Sequence, residues 1–63
     1  MYYYFVGGVI ARDMGNVVAN MEISLAGPIE SYATVKEIER NLAEQFGVPT
    51  FTVTFYALLR KED

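Results

Sequence analysis

MYYYFVGGVIA, Met1 to Ala11, is the run whose reading decides the fold. Apolar, aromatic and glycine residues follow the first methionine without a charge, and the run is about half the length a membrane-spanning helix needs. It reads as the central strand of a small sheet. Its own composition does not show which of its two faces is buried, so that assignment has to come from its neighbour.

The neighbour runs from Asn16 to Leu25 and alternates strictly. Val17, Ala19, Met21, Ile23 and Leu25 fall on one side, and Asn16, Val18, Asn20, Glu22 and Ser24 on the other, the period of a half-buried strand. Between the two runs, Asp13-Met14-Gly15 predicts a three-residue loop with Gly15 at the left-handed position of a type I turn with a bulge. That loop would set Arg12 opposite Asn16, Ala11 opposite Val17, Val9 opposite Ala19, Gly7 opposite Met21, Phe5 opposite Ile23 and Tyr3 opposite Leu25. The odd-numbered residues of the first strand would then be the core set, because the register of one strand dictates the faces of the other. Gly7 would leave room for Met21 or for a helix to come close; the competing reading of Gly7-Gly8 is a bulge.

Farther on, Gly27-Pro28 ends the second strand. Thr34 predicts a helix N-cap, with Glu37 completing a capping box and Ser31 as the competing cap. Val35, Ile38, Leu42 and Phe46 recur at helical spacing, Gly47 stops the helix and Pro49 prevents its resumption. Thr50 to Arg60 returns as a β-branched and aromatic strand, with Phe51, Val53, Phe55, Ala57 and Leu59 expected inside. The expected fold class is α+β: one ββαβ domain over residues 1–63, a three-stranded antiparallel sheet in order 2-1-3 with one helix on one face.

Composition bounds the function. A chain of 63 residues buries only about 60% of the surface its unfolded form exposes. Small folds offset that shortfall with disulfides, metals or a partner subunit. The chain has no Cys and no His, so self-association is the expected device. Five basic against eight acidic residues give a net charge of -3, which disfavours nucleic acid. With no Cys nucleophile and no His base, the expectation is no enzymatic activity, no cofactor and no metal. Glu22 is the one carboxylate whose predicted neighbours, Val6 and Tyr4, would raise its pKa. No basic residue precedes the apolar start and no cleavage pattern follows it. The chain therefore reads as a complete soluble cytoplasmic protein with no membrane role.

Under this register the face away from the helix would carry Tyr2, Tyr4, Val6, Ile10, Val18, Tyr56 and Leu58, with Thr52 and Thr54 beside them. A sheet-wide apolar group of this kind marks an interaction surface. Thr50 to Leu59 holds no charge, Pro or Gly and is a template for strand pairing. The expected function is a small acidic homodimeric protein-interaction module, joined through the outer face or the third-strand edge. The acidic helix face or the Gly27-Pro28 loop would remain to meet another protein. Very short acidic chains of this type are often accessory or inhibitory proteins of phages or other mobile elements. The alternative is a ligand- or single-stranded nucleic-acid-binding sheet using exposed tyrosines.

Overall fold

The computed structural model describes all residues from Met1 to Asp63. Strand β1 spans Tyr2–Arg12, β2 Gly15–Leu25, helix α1 Tyr32–Phe46 and β3 Phe51–Lys61. The sheet is antiparallel in order β2-β1-β3, so the expected topology is present and the most apolar segment is central.

The hairpin register differs from the expected one by a single residue. Asp13 and Met14 form a two-residue turn, and Arg12 pairs with Gly15, Ala11 with Asn16 and Ile10 with Val17. Gly15 does take a positive φ, 116°, but it sits directly opposite Arg12 and no extra residue is inserted. Because side chains alternate along a strand, this shift turns β1 over. Tyr4, Val6 and Ile10 face the helix and are buried, while Tyr3, Phe5 and Val9 face away. The inward face of β2 is the expected one, with Ala19, Met21, Ile23 and Leu25 packed against the core.

β3 carries two irregularities. Gly7 pairs with Phe55 but Gly8 with Val53, and Tyr3 pairs with Arg60 but Tyr4 with Leu58. Thr54 and Leu59 are therefore extra residues, each placing two β3 residues against one of β1. The first bulge reverses the alternation of β3. Phe51 and Val53 point toward the helix as expected, but beyond Thr54 the inward positions are Tyr56 and Leu58, and Phe55 and Ala57 turn outward.

Gly8 explains how the first bulge is held. The ring of Phe51 lies directly over it, and a Cβ on Gly8 would press into that ring and sit 2.5 Å from the Thr52 carbonyl oxygen. Gly7 is different, because a Cβ there would meet only the Asn20 side-chain oxygen at 2.9 Å and Phe55 Cβ at 3.9 Å. Gly8, not Gly7, is thus the position where the missing side chain admits the core.

Ser31 is the helix cap: its φ is -149° and its hydroxyl accepts from the Thr34 N–H at 3.3 Å. Thr34 therefore sits inside the first turn instead of capping it. Gly47, at φ 67°, ends the helix, and the Val48 N–H donates to the Ala43 carbonyl at 3.0 Å. One flank of α1 lies over the start of β3, where Phe46 stacks on Phe51 with ring centroids 6.0 Å apart. Glu39 there accepts a 2.7 Å bond from the Val53 N–H. Ile38 and Leu42, on the other flank, line one depression with Ile23 and Leu25 of β2. This diagonal crossing leaves the second half of β3 open.

The core consists of Tyr4, Val6, Ile10, Ile38, Leu42 and Phe51. Tyr4 is satisfied although buried, since its hydroxyl accepts from the Ile29 N–H at 2.8 Å. Gly8→Ala should destabilise the fold by about 1–3 kcal/mol through overpacking, with Gly7→Ala costing clearly less. Urea denaturation of both variants measures this; equal costs would contradict the placement of Gly8 under Phe51.

Candidate interaction face

The outer face of the sheet is built from the residues that the shifted register and the Thr54 bulge turn away from α1. Tyr3, Phe5, Val9 and Ala11 come from β1, Val18 and Asn20 from β2, and Phe55 and Ala57 from β3. Phe5 and Phe55 meet edge to face with centroids 6.0 Å apart. Phe55 remains 56% exposed and Val18 72%. No element of the chain covers them.

One end of this face is charged. Arg60 stacks over the Tyr3 ring, its guanidinium carbon 4.2 Å from the centroid. It donates to both oxygens of Glu22 at 3.3 Å and also to Glu62. Glu62 first, and Glu22 second, hold the guanidinium above its already high range, so its positive charge is permanent. The cluster is open to solvent and adds little stability; what it does is define a polar rim. Glu22 lies opposite Phe5 and pairs with Arg60, on the other side of the sheet from Val6 and Tyr4. The two neighbours expected for it are thus replaced by an aromatic ring and a guanidinium, and its side chain is half exposed.

The residues singled out from the sequence are divided by this geometry. Tyr4, Val6 and Ile10 are core side chains and offer no surface. Tyr2 packs against the core, with the Lys61 ammonium 5.4 Å from its ring centroid. Val18 and Thr52 do face outward. Thr54 is the bulged residue, its hydroxyl donating to the Gly7 carbonyl at 3.3 Å. Tyr56 and Leu58 point to the helix side yet stay 43% and 53% exposed along the edge. The aromatic centre of the outer face, Phe5 with Phe55, was missed. Nothing in the composition of β1 distinguishes its faces, and nothing in Thr52-Val53-Thr54-Phe55 announces the bulge.

A second, charged depression of about 530 Å³ lies between α1 and the start of β3, lined by Lys36, Glu39, Arg40, Glu44 and Thr52 among others. In it Lys36 pairs with Glu39 at 3.1 Å. Hydrogen bonding to Tyr32, and then to Glu39, holds its ammonium above the ordinary lysine value. No helix is long and apolar enough to cross a membrane, and no group of three or more potential metal ligands gathers anywhere in the chain.

The geometry defines an open-faced ββαβ sandwich: one sheet face covered by a helix, the other aromatic and bare. No protein-family model, curated protein or solved structure gives a significant match to the chain.

The two phenylalanines of β3 provide a direct check on which face is which. Phe51→Ala, at 3% exposure, should cost about 3–5 kcal/mol, whereas Phe55→Ala should cost no more than about 1 kcal/mol. Comparable losses in chemical denaturation would place both rings in the core and contradict the bulge.

Proposed function

We propose that the chain is a small, non-catalytic protein-interaction module that acts as a homodimer and presents its outer sheet face to another protein. The observation that carries this reading is the uncovered aromatic and aliphatic face formed by Phe5, Val9, Val18 and Phe55. An apolar group spread across a sheet is an interaction surface more often than a solvated one.

The small core supports the homodimer. Only eight of 63 residues are buried, and the chain has no disulfide to restrain its unfolded state. A second copy is the partner available wherever the chain is made. An accessory or inhibitory role, of the kind common among short acidic proteins of mobile elements, suits a module that works by occupying a surface.

A second reading draws on the same face. Tyr3, Phe5 and Phe55 could stack bases in a sheet that binds single-stranded nucleic acid. Arg60, the basic group beside them, is engaged by Glu22 and Glu62, and the net charge is -3, so the electrostatic part of such binding is missing.

Sedimentation equilibrium separates these readings. The expected mass is twice 7.1 kDa at micromolar concentration, with no shift on adding a labelled oligonucleotide at low salt. A strict monomer up to millimolar concentration would defeat the homodimer. Salt-sensitive retention of the oligonucleotide would favour the second reading.

A further inference from the structure

We infer that two copies join through the β3 edge, antiparallel about a two-fold axis at Ala57, into one continuous six-stranded sheet. This rests on the homodimer proposed above and names its mode.

The argument begins with which backbone groups of β3 are free. Met1 and Glu62 exchange both of their backbone bonds: the Met1 amine donates to the Glu62 carbonyl at 2.6 Å, and the Glu62 N–H to the Met1 carbonyl at 2.9 Å. Bonded pairs recur at every second residue of an antiparallel ladder. Counting along β1 from Met1, the β3 residues bonded to it are Arg60, Ala57, Phe55 and Thr52. The residues between them, apart from the bulged pair, aim N–H and C=O away from the sheet: Lys61, Leu58, Tyr56 and Val53. The Val53 N–H confirms the count independently, because its partner is Glu39 on the helix.

This edge is self-complementary. Placed antiparallel to itself about Ala57, Tyr56 meets the partner's Leu58 and Leu58 meets the partner's Tyr56. All four sets of groups point into the joint. At the ends, Val53 meets the partner's Lys61 with its carbonyl turned outward, its N–H being held by Glu39. The bulges at Thr54 and Leu59 are the usual way to spoil an edge. Here Thr54 lies three residues before Ala57 and Leu59 two after it, so each bulge meets the partner one residue away from the partner's other bulge. With one bulge on either side of the axis in both copies, the phase of outward-facing groups is regained at Val53 and Lys61. Displacing the register by one residue sets outward-facing groups against groups already used by β1.

Side chains and charge agree with the same axis. Tyr56 and Leu58, exposed on the helix side in one copy, become facing cross-strand neighbours in the pair. The partner's Lys61 arrives beside Val53, where the Glu39 carboxylate is already positioned, so opposite charges close both ends of the joint. The outer faces, including Phe5 and Phe55, merge into one surface of twice the width.

The axis also brings Ala57 opposite the partner's Ala57 as a pair not bonded to each other, with Cα atoms about 4.5 Å apart. That is within the span a disulfide bridges, and the natural chain has no Cys to interfere. Ala57→Cys should therefore oxidise to a folded, disulfide-linked dimer in at least tenfold greater yield than Thr52→Cys, which lies on the same strand and face but off the axis. Both variants are compared by non-reducing electrophoresis, with circular dichroism to verify folding and sedimentation of the reduced proteins alongside. A dimer that fails to cross-link at Ala57→Cys, or links equally at Thr52→Cys, overturns the edge mode and leaves self-association standing. A strict monomer overturns both.

Discussion

Everything distinctive about this chain depends on the pairing of Arg12 with Gly15 across the two-residue turn Asp13-Met14. Alternation in β2 gives that strand one inward face whatever the turn does, but β1 is apolar on both sides and takes its faces from the register alone. With Arg12 opposite Gly15, Gly8 lies on the inner side facing Ala19. The small pair leaves space above the sheet, and Phe51 fills it. The ring in turn fixes the start of β3 and the end of α1, through its stack with Phe46. A turn longer by one residue would bring Gly7 inward with no ring placed to cover it, and would bury Phe5 in place of Tyr4 and Val6.

The coarse architecture was legible because each of its signals has a local physical cause. Strict alternation marked β2, helical spacing with a left-handed glycine marked α1, and β-branched and aromatic residues marked β3. The order 2-1-3 followed from short connections and a central apolar strand. Gly15 and Gly47 both carry the positive φ read from sequence. What could not be read was the handedness of each face. For β1 it depended on a loop of two residues against one of three. For β3 it depended on a bulge at Thr54, in a segment where alternating Thr, Val and Phe make either phase look reasonable. The residues expected on the face away from the helix inherited both errors: Tyr4, Val6 and Ile10 proved to be core, and Phe5 and Phe55 stand on that face instead.

The bulges have a double consequence. In a single chain they turn Phe55 and Ala57 outward, enriching the bare face, and leave Tyr56 and Leu58 on an edge that the diagonal helix does not cover. Between chains, one bulge on either side of Ala57 would leave the outward groups of Tyr56 and Leu58 facing each other across that edge. A small fold with six core side chains would then gain from a partner the burial it cannot supply alone. The bare aromatic face, doubled in width, would be the part that meets something else.

The hairpin register is the claim on which these conclusions converge, and proton NMR reads it directly. In an antiparallel pair, residues that face each other without exchanging bonds bring their α-protons close enough for a strong cross-relaxation signal, since their Cα atoms lie about 4.5 Å apart. The expected signals join Phe5 with Glu22 and Tyr3 with Ser24. Signals joining Phe5 with Ile23 and Tyr3 with Leu25 would restore the three-residue loop, return Phe5 to the core and contradict the account.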